Sequence, residues 1–83
     1  MRRMGLTSVE RIKRVMADVF DLPPDSIGDD ASVTTLPQWE SMQALTLLMC
    51  LEEEFDVHFT DDEAMRMNSL DAIRQELDLK GVA

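Results

Sequence analysis

Pro37-Gln38-Trp39-Glu40-Ser41-Met42 runs directly into a helical pattern that lasts to about Asp56. Within that pattern Ala44, Leu47, Leu48, Leu51 and Phe55 recur at i, i+3, i+4, i+7 and i+11, the spacing of one helix face turned to a core. Ser41 stands where the loop ends and the helix begins, so its hydroxyl can cap the helix or carry a covalent group. A second apolar set, Met42, Leu45 and Met49, lies on the same side as Ser41, Glu52 and Asp56, with Thr46 and Glu53 at its edge. Two readings fit this set: a central helix buried on most sides, or an exposed docking strip. Methionine is flexible and polarizable and suits such a strip, and the bordering acids would resist full burial. Cys50 falls between the two faces and reads as an inert packing residue.

Outward from this helix, the chain supplies three more. Thr7-Ser8-Val9-Glu10 forms a capping box ahead of Val9, Ile12, Val15, Met16, Val19 and Phe20, which predicts a first helix over 8–20. Asp21-Leu22-Pro23-Pro24 ends it. Thr60-Asp61-Asp62-Glu63 is a second capping box and opens a short helix through about Met67. Asn68 or Ser69 caps a last helix with Leu70, Ile73 and Leu77 on one face, ended by Leu79-Lys80-Gly81. No alternating strand pattern or internal repeat intervenes. The expected fold is all-α: a small four-helix bundle with three longer helices, a short third helix, and a long loop between helices one and two. Residues 1–83 are expected to form one domain, with 1–6 and 79–83 as flexible termini.

The 21–40 loop is punctuated by Pro23, Pro24, Gly28 and Pro37. A loop this long in a compact domain should be functional or internally packed, and Ile27, Val33 and Leu36 are placed to pin it to the core. Asp25, Asp29 and Asp30 invite a calcium-loop reading, but Ile27 occupies the third position and no Glu the twelfth. Val57 and Phe59 should point inward after the Ser-headed helix. His58 reads as an exposed loop residue, with no second His or Cys pair to make a metal site.

Length and charge narrow the function. An 83-residue chain buries only about 60–65% of its extended surface, which leaves no room for a deep catalytic cleft. The lone Cys50 excludes an internal disulfide. The net charge is −9 and uneven: residues 1–14 carry five basic side chains and one acid, while residues 15–65 carry thirteen acids and no Lys or Arg. Such a middle repels nucleic acid and anionic membrane and steers basic partner surfaces; it also simply keeps the protein soluble. No apolar run approaches a membrane span and no secretory signal core is present, so a cytoplasmic location is expected. Nucleophilic catalysis at Ser41 would need an oriented base, and the only histidine is a helix length away. A phosphate esterified to Ser41, by contrast, would meet the unpaired N–H groups of a helix N-terminus.

Trp39-Glu40-Ser41-Met42 followed by Leu51-Glu52-Glu53-Glu54-Phe55-Asp56-Val57 resembles the acyl carrier protein family, with its Asp-Ser-Leu motif opening helix two and a Leu-Glu-Glu-Glu-Phe-like segment closing it. The spacing matches without a gap, and the likeness extends over nearly the whole chain. The resemblance implies a free-standing, non-enzymatic carrier of intermediates in fatty-acid-like, polyketide or other specialised biosynthesis. Ser41 would take 4′-phosphopantetheine from coenzyme A through a phosphopantetheinyl transferase, and the arm's thiol would hold an acyl group as a thioester. It also implies docking of loading ligases or transferases and of synthases, through basic patches, on Met42, Leu45, Thr46, Met49, Glu52 and Glu53, with Glu40 serving a partner's basic residues or a metal. A monomer is expected. Glu40 replaces the family's usual Asp and Met42 its Leu. Gln43 and Thr46 stand where the fatty-acid carriers commonly have acids, and the Trp-acid-Ser form is more like carriers of specialised pathways. Trp39 is open to three roles: shielding the arm, touching a partner, or packing on the loop. The competing readings are an aminoacyl or D-alanyl carrier, an unmodified helical interaction module, and a calcium-binding helical protein.

Overall fold

The computed structural model describes residues 7–82; the segment 1–6, expected to be a flexible terminus, lies outside the described residues, as does Ala83. Helix α1 spans Ser8–Phe20. It begins with the expected box: the Thr7 hydroxyl accepts the Glu10 N–H at 3.1 Å, and the Glu10 carboxylate accepts the Thr7 N–H at 3.0 Å. Helix α2 spans Ser41–Phe55. Helix α3, Asp61–Arg66, opens on the Thr60 box, with Glu63 N–H to Thr60 Oγ1 at 3.2 Å and Thr60 N–H to Glu63 Oε1 at 2.8 Å. Helix α4, Leu70–Leu79, is capped by Ser69, whose hydroxyl accepts the Ala72 N–H at 3.0 Å. Among the described residues the only strand-like pairing is an isolated bridge between Ser32 and Ser69. The fold is the expected small all-α bundle.

The core draws Ile12, Met16 and Phe20 from α1, Leu47, Leu51 and Phe55 from α2, and Leu70, Ile73 and Leu77 from α4. Each set recurs every three or four residues, so each helix offers one apolar stripe. Each such side chain contributes about 1.5–3 kcal/mol by leaving water. Helix α3 buries no residue of its own. Phe59 before it and Met67 after it are buried, and two ion pairs fasten it to α4. Arg66 meets the buried Glu76 with both carboxylate oxygens, at 3.1 and 3.2 Å. Lys80 Nζ lies 2.9 Å from Glu63 and 5.3 Å from the centre of the Phe59 ring.

The long loop is internally packed. Asp21 closes α1 in the left-handed conformation (φ 56°), and Pro24–Ser26 forms a single 3-10 turn. Ile27 and Leu36 pack inward as expected, but Val33 does not: it is 42% exposed, and Ala31 and Trp39 are the buried loop residues instead. The reason is backbone pairing. Val33 N–H donates to Asn68 C=O at 3.1 Å and Leu70 N–H to Ala31 C=O at 2.9 Å, so the main chain, not an apolar side chain, fixes this point of the loop. Asp29 is paired with Lys13 at 2.6 Å. In the 79–83 segment, Leu79 ends α4, Gly81 takes a positive φ of 76°, and Val82 packs against the core.

Candidate functional site

Ser41 is the first helical residue of α2, one position inside the cap, so the capping role is corrected: Glu40 is the N-cap, and its side chain makes no capping bond. Extended backbone at Glu40 (φ −102°, ψ 179°) puts Ser41 into the first turn. The Ser41 side chain is exposed, and its hydroxyl makes no hydrogen bond among the described residues. The first intrahelical bond runs from Ala44 N–H to Glu40 C=O at 2.7 Å. The N–H groups of Ser41, Met42 and Gln43 precede it without a side-chain partner, and carry the partial positive charge of the helix end.

Three contacts set this corner. Trp39 N–H donates to Leu36 C=O at 3.0 Å. The Trp39 ring is 5% exposed and packs against Phe20, with centroids 5.7 Å apart and planes at 42°. Gln43 Nε2 donates to Val19 C=O at 3.2 Å, satisfying a carbonyl at the end of α1. Of the three roles open to Trp39, packing is observed. No base is hydrogen-bonded to the hydroxyl among the described residues. His58 is exposed and sits 3.2 Å from Glu52, at the far end of a helix about 22 Å long.

The second apolar set of α2 is exposed: Met42 76%, Leu45 62% and Met49 66%. The opposite stripe holds the buried Leu47, Leu51 and Phe55, with Ala44 and Leu48 half-buried, so α2 is not buried on most sides. Glu40 and Glu53 are exposed on the strip's borders and have no ion pair among the described residues. Thr46 is exposed, with its hydroxyl donating back to Met42 C=O at 3.1 Å. Glu52 is turned away: its carboxylate accepts the Phe59 N–H at 2.9 Å and faces His58, so it holds the α2–α3 connection rather than bordering the strip. Cys50 is exposed, contrary to the packing expectation, because α1 leaves it in a shallow recess shared with Val15, Val19 and Glu53. Sequence reasoning missed Met65, 79% exposed on α3; the signal was available, since a helix of six residues with three acids has little apolar face to bury.

A groove of about 210 Å³ begins at Ser41 and Trp39. Ala44, Leu45 and Leu48 of α2 form one wall, Ala64 and Met65 of α3 the other, and Leu47, Leu51 and Ile73 reach it from the core. Among its described lining residues only Ser41 and Trp39 carry a hydrogen-bonding side-chain group. An accessible hydroxyl, unpartnered amides to receive a phosphate, and an adjoining apolar groove fit a phosphate-linked arm carrying an apolar cargo. Among the described residues no cluster of three or more His, Cys, Asp or Glu could hold a metal, and no helix is long and apolar enough to cross a membrane.

A family pattern described as "Phosphopantetheine attachment site" matches residues 10–77. The acyl carrier protein of Buchnera aphidicola subsp. Acyrthosiphon pisum (strain Tuc7) is 36% identical over 61 residues, 74% of this chain and 76% of the relative. That of Thermosynechococcus vestitus is 31% identical over 62 residues, 75% and 76% of the two chains. In fold, the chain is similar to the solution NMR structure of a holo acyl carrier protein from Nitrosomonas europaea, with a TM-score of 0.76 and 22% identity over 90% of this chain and 96% of that one. With the family pattern spanning most of its length and these relatives beside it, the chain belongs to the acyl carrier protein family, non-catalytic carriers of a covalently attached 4′-phosphopantetheine.

Proposed function

We propose that Ser41 is the attachment point of the prosthetic group, and that the protein presents acyl cargo to enzymes docking on the exposed strip of α2. The observation that carries this reading is the Ser41 hydroxyl, exposed and unpartnered, on the first turn of α2 at the head of an apolar groove. When bound, the group supplies a terminal thiol on a long arm, to which an acyl chain is joined as a thioester. The Ser41, Met42 and Gln43 N–H groups favour the phosphodiester by about 0.3–1 kcal/mol through the helix dipole. Glu40 adds like charge beside it. Being exposed and unpaired, Glu40 is available to a basic residue of the transferase.

The groove favours hydrocarbon cargo. Each methylene it takes from water is worth about 0.8 kcal/mol, whereas the ammonium of an aminoacyl or D-alanyl group would lose hydration there without a partner. The middle of α2 carries no charge: Gln43 is turned to α1 and Thr46 bonds its own backbone. Partners should therefore meet Met42, Leu45 and Met49 with apolar surface, and place their basic residues at the ends, opposite Glu40 and Glu53. That pattern favours the enzymes of a specialised pathway over those of general fatty-acid synthesis. We further assign a monomer, since the strip is narrow, working in the cytoplasm with coenzyme A.

Intact mass after incubation with coenzyme A, magnesium and a broad-specificity phosphopantetheinyl transferase tests the assignment. One added phosphopantetheinyl group on the parent and none on Ser41→Ala is expected. Addition to neither, on folded and initially unmodified protein, would overturn it and favour an unmodified interaction module.

A further inference from the structure

Trp39 is a buried residue whose indole donor finds no acceptor among the described residues. The side chain is 95% shielded from solvent, at 5% exposure, lines the groove two residues before Ser41, and is fixed by its ring contact with Phe20. Its indole N–H meets no acceptor among the described residues. Buried tryptophans usually find a partner for this group, and an unmet donor carries a desolvation cost. The neighbouring side chains of Ala44, Leu45, Leu48, Ala64 and Met65 in the lining present only carbon and sulfur to it.

We infer that Trp39 is a binding residue for the group tethered at Ser41: its indole N–H donates a hydrogen bond to a carbonyl of that group, and its ring closes the Ser41 end of the groove. This rests on Ser41 being the attachment point. A phosphate-linked arm bearing acyl cargo offers two sources of carbonyl, an amide of the arm and the thioester of the cargo. Either would satisfy the donor, and either would draw the tether into the groove in place of bulk water. Two residues of separation keep the donor close to the anchor whatever the arm's conformation, and the contact with Phe20 holds the ring without using the nitrogen. A phenylalanine would pack the same wall but would lack the donor.

The chain has one tryptophan, so its indole N–H gives a single resonance in a ¹H–¹⁵N spectrum of the full protein. That resonance is compared in the apo form, the holo form and a hexanoyl-holo form, with intact mass confirming each state. The expected result is a downfield shift with solvent exchange slowed about fivefold, the factor of one ordinary net hydrogen bond. Its appearance already in the holo form assigns the arm's amide, and its appearance only after acylation assigns the thioester carbonyl. An unchanged shift and exchange rate in all three states overturns the inference, as does an indole proton already protected in the apo form, since the donor would then have a protein partner. If no arm is added at Ser41, the attachment assignment fails first and independently.

Discussion

Helices α2 and α3 stand on opposite terms with the rules of local structure. Helix α3 has six residues and buries none, yet it opens with a complete capping box, places Asp61, Asp62 and Glu63 in its first turn where the dipole favours them, and puts Arg66 in its last. Helix α2 has fifteen residues and supplies the centre of the core, yet its cap makes no side-chain bond and its first turn has no acid. Glu52, Glu53 and Glu54 crowd its C-terminal end, followed by Asp56 in the left-handed conformation. A helix anchored by packing tolerates poor ends. A helix without packing needs every local device it has.

The largest test of this contrast removes the packing. Leu51→Ala, at a fully buried position, should cost about 2–5 kcal/mol and show as a large loss in a urea or thermal melt. A cost below 1 kcal/mol would mean that α2 does not depend on the core. Next come the caps. Thr60→Ala should cost about 1 kcal/mol and lower amide protection first in α3, whereas Glu40→Ala, which breaks no bond, should leave the melt within about 0.5 kcal/mol of the parent. Equal losses from the two would erase the distinction.

Acid offers a third test. Glu63 titrates below its ordinary value of 4.5, first because its carboxylate accepts the Thr60 N–H and next because it bonds Lys80. A carboxyl with a depressed folded-state value contributes stability above its unfolded value and loses it as pH falls through the folded one. Protection of α3 amides should therefore be flat from pH 7 to about 5 and decline below, ahead of α1. Hydrogen exchange across that range checks it, and simultaneous loss in both helices would refute it. The smallest effect is a gain. Asp56→Gly relieves a left-handed non-glycine residue and removes an acid from a negative helix end, and should raise stability by about 0.5–1 kcal/mol in the same melt.

Much of this was legible in the sequence, for reasons that differ along the chain. Ser8–Phe20 and Asp61–Arg66 were fixed by capping boxes, which are local chemistry, and the core face of α2 by its period. Ser41 was legible as a helix head, but its place inside the cap was not, because Glu40 caps through its backbone alone. The burial of Trp39 depended on its contact with Phe20 of α1 and the exposure of Val33 on which parts of the loop pair with residues 68–70, both long-range matters. Glu52 looked like part of the strip on a helical projection, yet the turn after α2 needed an acceptor for the Phe59 N–H and took it. Cys50 was misread because the projection does not say how far α1 reaches across α2.

The backbone bonds that join Ala31 to Leu70 and Val33 to Asn68 also set a schedule. They close a segment of chain that contains Ser41 and all of α2, so the loop leading into the serine has no finished shape until the start of α4 exists. During synthesis the stretch through α2 emerges with that corner unsecured and the groove lacking its α3 wall. A transferase that recognises the folded corner would therefore act only once the start of α4 has been made, and a ribosome-bound fragment ending before residue 68 would be a poor substrate even though it already holds the serine.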